Sequence, residues 1–228
     1  MKTFLLLLKK DLRCELRTRE VFLLQFSVAL LIAFMFSSGF ATAFLSQLER
    51  TNLIPLAIWI TFIFSATIAI SRSFDYEVEL RGIDGLRTAG VDPTIIYLSK
   101  FCSNTLITLI SHSLSTLAIT LFINPLPQTL AQLASVEFLL LSLLVIIGYS
   151  ALATLLSAVS LSARMRGLLL PAILLPLLFP LFFAALELTT MQLENTFAWQ
   201  TPFAILIVAF DLIYVVTCSQ LFGVATRE

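Results

Sequence analysis

The chain has 228 residues, the size of one domain, and is 59% hydrophobic and only 12% charged. Soluble domains carry about 25% charged residues, so a water-soluble globular fold is excluded and lipid must solvate most of the surface. Fourteen basic residues balance fourteen acidic ones, which gives no sign of nucleic-acid binding and makes the placement of the charges the informative quantity.

Residues 1–20 are expected to form an N-terminal cytoplasmic amphipathic helix. Leu5, Leu8, Leu12 and Leu16 recur at helical spacing, and Lys9, Arg13 and Arg17 form a basic row suited to the headgroup layer. The row is either an anchor for the first span or a platform that also touches a cytoplasmic partner. Six apolar stretches are long enough to cross the hydrocarbon core as helices: Val21–Leu45, Asn52–Ile70, Phe101–Ile123, Val136–Ser162, Leu168–Leu186 and Phe203–Phe222. They define a transmembrane domain over 21–222, followed by a short tail at 223–228. Ala41-Thr42-Ala43 resembles a signal cleavage site, but the apolar run before it is too long for a removable signal.

The longest polar segment, 71–100, is too long for a simple turn. Phe74-Asp75-Tyr76-Glu77-Val78-Glu79-Leu80-Arg81 has helix-forming residues, and Gly82, Gly85 and Gly90 then interrupt it. Asp92-Pro93 predicts a fresh helix start, with Asp as N-cap and Pro at the first helical position, running through Tyr97 and Lys100 into the third span. A short cytoplasmic helix with Phe74, Val78 and Leu80 as apolar contacts suits docking on a soluble partner. Asp75, Glu77, Glu79 and Asp84 favour a protein over lipid as that partner. Gly85 and Gly90 have the spacing of a phosphate loop, but Val91-Asp92 stands where lysine and a hydroxyl residue are required. The chain is therefore not expected to hydrolyse ATP itself.

Within the spans, Asn104, Thr108, Ser111 and Ser115 form one polar stripe with His112 beside it. Interface packing is the expected role; a substrate path and a haem or metal ligand are the alternatives. Ser150, Thr154 and Ala158, with Ala153 and Ser157, invite close helix approach. Pro171, Pro176 and Pro180 predict either a kinked, gating helix or an ordinary membrane helix. Asp211 is an intramembrane carboxylate and hence a functional candidate, expected to be either protonated or paired with Gln25, His112 or a partner subunit. Glu187–Pro202 is read as an outer segment, with Trp199 at the headgroup level. Ala163-Arg164-Met165-Arg166-Gly167 is a tight basic turn. With the N-terminus inside, thirteen of the fourteen Lys and Arg residues lie on the cytoplasmic side and only Arg50 outside, so both termini are expected to be cytoplasmic. Cys14, Cys102 and Cys218 have no metal-ligand spacing, and no catalytic constellation or internal repeat is found.

This layout resembles the ABC-2 (type V exporter-like) permeases: all-α, polytopic, six transmembrane helices and an N-terminal interfacial helix. A closer resemblance is to the CcmB family of cytochrome c maturation, the "haem exporter protein B" family. It rests on Phe74 through Leu86, Val91-Asp92-Pro93, Ile96-Tyr97-Leu98-Ser99-Lys100 and Leu174-Leu175-Pro176-Leu177-Leu178-Phe179-Pro180. The resemblance implies a non-catalytic permease subunit in the bacterial inner membrane, dimeric, and paired with a cytoplasmic CcmA-like ABC ATPase. It also implies a haem-handling CcmC-like membrane subunit and a small CcmD-like one. ATP and haem would be held by those partners, with no cofactor, metal or catalytic residue on this chain. ATP hydrolysis would drive release of the haem-loaded periplasmic chaperone. Phe74, Asp75, Glu77, Glu79, Gly82, Asp84, Gly85 and Leu86 would form the ATPase-coupling loop, with His112, Asp211 and Asn104 as intramembrane polar candidates. The rival readings are an ABC-2 permease exporting a lipid, drug or glycan, a membrane scaffold without an ATPase, and, more remotely, a membrane enzyme using His112 and Asp211.

Overall fold

The computed structural model describes residues 2–42, 46, 52–79, 85–86, 88–123, 127–159 and 166–225. Its main helices are α1 (Lys2–Thr18), α2 (Glu20–Thr42), α3 (Ile54–Glu79), α4 (Pro93–Ile123), α5 (Pro127–Leu133), α6 (Val136–Val159), α7 (Arg166–Leu193) and α8 (Pro202–Ala225). Five of these contain stretches long and apolar enough to cross a membrane, in α2, α4, α6, α7 and α8. A sixth apolar stretch, Ile54–Ile70, is shorter and opens α3. The outward surface is apolar: Leu31 and Phe34 on α2, Ile110, Leu117 and Leu121 on α4, and Leu212 and Ile213 on α8 are all exposed. Such a surface requires lipid as its solvent.

The bundle is built around α6, whose membrane stretch is 67% buried, against 17% for the peripheral α2. The reason is the side-chain size along α6. Gly148, Ser150, Ala151, Ala153, Thr154, Ser157 and Ala158 are buried, and small residues let neighbouring backbones approach on several sides. The neighbours of α6 are α3, α4, α7 and α8.

Local chemistry sets the ends. Between α1 and α2 only Arg19 breaks the helical geometry, with φ 56°. The carboxylate Oε1 of Glu15 accepts a hydrogen bond from the Phe22 amide at 2.8 Å, so the last turns of α1 cap the start of α2. As the sequence predicts, α4 begins at Asp92-Pro93: Asp92 Oδ1 accepts from the Thr94 amide at 2.8 Å. The helix also runs on into the third span as expected, as one 31-residue helix from Pro93 to Ile123. Ile96, Tyr97, Ser99 and Lys100 are buried in the protein, which leaves no reason for a break before Phe101.

Two other boundaries differ from expectation. The segment Phe74–Glu79 is no separate short helix but the end of the 26-residue α3. At the far end of the bundle from the termini, α7 continues past Leu186 to Leu193, which shortens the expected outer segment to a turn over 194–201. Leu188 and Thr189 are fully buried there, so packing carries the helix through Glu187. Helix α7 also passes through Pro171, Pro176 and Pro180 without interruption. Pro176 and Pro180 are exposed, on the face where a lost backbone bond disturbs no packed neighbour. The tight basic turn falls largely outside the described residues.

The α7–α8 turn is held by neutral hydrogen bonds. Asn195 closes α7 in the left-handed region at φ 59°, and the Thr196 amide reaches back to Met191 O at 2.9 Å. Gln132 Nε2 donates to Leu193 O at 3.1 Å and to Asn195 Oδ1 at 3.0 Å. Gln192 Nε2 donates to Ser135 Oγ at 3.1 Å. A β-branched residue at position 195 meets the left-handed penalty of about 1–2 kcal/mol and loses the Gln132 bond. Asn195→Val is therefore expected to lower the unfolding midpoint in detergent clearly more than Asn195→Gly. Equal midpoints would show that the turn is not set by this residue.

Candidate functional site

The inner face of α4 carries the predicted polar stripe, and the structure buries Asn104, Thr108, Ser111, His112 and Ser115 together. Asn104 Nδ2 donates to Thr154 Oγ1 on α6 at 3.1 Å. Seven residues earlier on α4, the Tyr97 hydroxyl donates to Ala151 O at 3.1 Å. Ser115 Oγ bonds its own helix at Ser111 O, 2.7 Å away. The stripe therefore joins α4 to α6, which is the packing role expected of it.

His112 sits in an aromatic box. Its ring stacks on Trp59 at 5.3 Å and 21° and meets Phe62 edge-on at 5.1 Å. Phe138 lies 6.5 Å away. Trp59 is tied in turn to α7, since its Nε1 donates to Thr189 Oγ1 at 2.9 Å. The Tyr149 hydroxyl donates to Thr67 Oγ1 at 3.3 Å, and its ring packs edge-on against Phe62. His112 Nε2 has no hydrogen-bond partner. Among the described residues, no group of three His, Cys, Asp or Glu side chains comes together that could hold a metal ion. In this setting His112 acts as a packing ring between α3, α4 and α6.

Asp211 projects from α8 onto α6. One carboxylate oxygen lies over Gly148, where a Cβ would collide with it, and the same Cβ would come within 3.3 Å of Leu181 and 3.4 Å of Phe210. Asp211 is 7% exposed. It pairs with neither Gln25 nor His112: the Asp211 oxygens, both polar side-chain atoms of Gln25 and His112 Nε2 are all buried without a hydrogen-bond partner. The two in-chain pairings weighed from the sequence are thus not formed. Asp211 and His112 do not combine into an acid–base pair.

The remaining candidates lie at the terminal end. Phe74, Asp75, Glu77 and Glu79 are on the last turns of α3; Gly82 and Asp84 lie outside the described residues. Gly85 and Leu86 begin a single turn. Gly85 O accepts from Thr88 Oγ1 at 2.9 Å and from the Ala89 amide at 3.1 Å. The turn closes at Gly90, with φ 73°. Leu86 and Val91 are half-buried against the core, so this part of the loop rests on the bundle.

Sequence reasoning missed three participants. Trp59 looks isolated in the sequence, yet it stacks on His112. Gly148 is unremarkable among small residues until Asp211 is found against it. Lys100 counts toward the orientation bias, but it is 7% exposed on its side chain and forms an ion pair with Asp11 at 3.2 Å. The only advance signal is a lysine so close to a long apolar run.

The crowding at Gly148 is testable. Gly148→Ala must displace the carboxylate of Asp211 and is expected to destabilise the protein by about 1–3 kcal/mol. Adding Asp211→Ala removes the nearest obstacle, so the double variant should recover most of that loss in detergent unfolding. Purely additive losses would mean the two positions do not share the space.

A protein-family model for the CcmB protein matches residues 2–227 of the chain. No curated protein matches it.

Proposed function

The chain belongs to the CcmB family of haem-export-related permease subunits in cytochrome c maturation, and from that premise we propose that it transmits the motion of a partner ATPase from residues 74–86 into the membrane bundle. As a family member it is a non-catalytic, multi-pass protein of the bacterial inner membrane and works within a multi-subunit Ccm complex. Ile54–Ile70 is a sixth span, both termini are cytoplasmic, and α1 lies at the cytoplasmic headgroup layer. The chain works as a homodimer with a CcmA-like ATPase, a CcmC-like haem-handling subunit and a CcmD-like small subunit. ATP hydrolysis on the partner drives release of the haem-loaded periplasmic chaperone, with ATP and haem held by partners.

One observation carries the reading: the acidic segment of the loop is continuous with α3. Residues 74–79 extend the helix that begins at Ile54, so a push at the cytoplasmic tip need not cross a flexible joint. Along its length α3 is fastened to three other helices, through Trp59 to Thr189 on α7, Phe62 to His112 on α4 and Thr67 to Tyr149 on α6. Coupling then requires that the tip contact two ATPase states differently. Asp75, Glu77 and Glu79 supply charge for such contacts, and Gly85 lets the chain return toward α4.

Charge reversal of Asp75, Glu77 and Glu79, or Gly85→Pro, is expected to abolish covalent haem on c-type cytochromes in a haem-stained gel while the protein stays in the membrane. ATPase activity should become independent of this subunit. Normal cytochromes and unchanged ATPase association in these variants would overturn the coupling reading. The same gel on a deletion strain, with and without the restored gene, gives the reference values.

A further inference from the structure

We propose that Asp11 and Lys100 are positioning residues. Their ion pair fastens α1 to the foot of α4, so that movement at the start of α4 is shared with α1 and α2. This rests on the coupling role argued above.

The pair is built as a joint and not as a surface contact. Lys100 Nζ is 3.2 Å from Asp11 Oδ1, and the two side chains are 7% and 10% exposed. A lysine serving only as a membrane anchor would extend its ammonium into the headgroups; this one is turned inward to a carboxylate 89 positions away in sequence. Lys10, which is 49% exposed, reaches the same oxygen at 3.0 Å from the solvent side. The pair adds a charged contact to an apolar seam: Leu7 is buried and Phe4, Leu8 and Leu12 are half-buried, whereas Leu5, Leu6, Lys9, Arg13 and Arg17 are exposed.

The location gives the joint its use. Lys100 lies seven residues into α4, whose first residue directly follows the Gly85–Asp92 turn. In the same stretch Tyr97 packs against Phe222 of α8 at 5.5 Å, and Pro93 lies beside Gly223. The foot of α4 is thus gripped by α8 on one side and by α1 on another. Helix α2 begins one residue after the Arg19 break, with its first turn capped by Glu15 of α1. Whatever moves the foot of α4 also moves α1 and, through it, α2. Lys100→Met leaves Asp11 only the solvent-side Lys10, and Asp11→Asn takes from Lys100 its charged bond to α1, whereas exchanging the two keeps the attraction across the joint.

The test uses the full complex in native membranes, with Asp11→Asn, Lys100→Met and the exchange Asp11→Lys with Lys100→Asp. Two readouts are taken at matched protein levels: chymotrypsin cleavage within α1, whose Phe and Leu sites are the same in every variant, and covalent haem on c-type cytochromes. Each single variant is expected to raise the cleavage rate about tenfold or more and to lower covalent haem by a similar factor. The exchange should bring both back toward the parent. If cleavage is unchanged in the single variants, the pair is not what fastens α1. If α1 loosens but cytochromes form normally, or if the exchange restores docking without restoring maturation, the joint transmits nothing. Each of these outcomes overturns the proposal. The loop variants described above test coupling separately, and the cleavage readout does not depend on it.

Discussion

A polar group buried in lipid has no water to fall back on, and two apolar helices gain little from touching each other when lipid tails are equally apolar. The association of α3, α4, α6 and α7 therefore depends on a few polar and aromatic pairings. Asn104 reaches Thr154, Tyr97 reaches Ala151 O, and Trp59 reaches Thr189. Each is modest alone: cross-helix hydrogen bonds in membranes average about 0.6 kcal/mol. Their effect is to fix register, because a one-turn slip of any of these helices would leave several buried groups unpaired. The small residues of α6 supply the close approach that these short bonds need.

The same logic divides the bundle into two unlike ends. At the far end the corner around Gln132, Ser135, Gln192 and Asn195 is joined by neutral bonds. The terminal end carries the ion pair of Asp11 with Lys100 and the end of α3 with its run of acidic residues. Neutral contacts join the corner at one end, and a buried ion pair joins α1 to α4 at the other. In the proposed coupling, that is the end through which work enters.

How far the sequence foretold this depends on the range of the interaction. Features set by neighbours along the chain were readable: the apolar stretches, the start of α4 at Asp92-Pro93 and the turn at Gly90. Features set by partners distant in sequence were not. Glu187 reads as the end of a span because it is charged, yet burial of Leu188 and Thr189 carries α7 on to Leu193. Phe74–Glu79 reads as a separate helix because its composition changes, but a change of solvent along a helix does not break its backbone bonds. Asn104, in the stripe read as a packing surface, donates to Thr154 on α6. Asp211 and His112 were linked by their rarity, and the structure sets them in different surroundings, one against Gly148 and the other inside an aromatic box.

Asp211 can be weighed further against its surroundings. A carboxylic acid buried without a hydrogen-bond partner is not kept for stability, since an apolar residue of similar size would pack at no desolvation cost. Gly148 is the complementary observation: the space over which the carboxyl sits exists only because that position on α6 has no side chain. A mere packing contact would be served as well by a larger residue at 148 and an apolar one at 211. The joint choice of glycine and aspartate therefore argues that the α6–α8 crossing was shaped around the acid. The last turn of α8 is packed through Phe222 on Tyr97 at the foot of α4, so the helix that carries the acid also grips the start of α4.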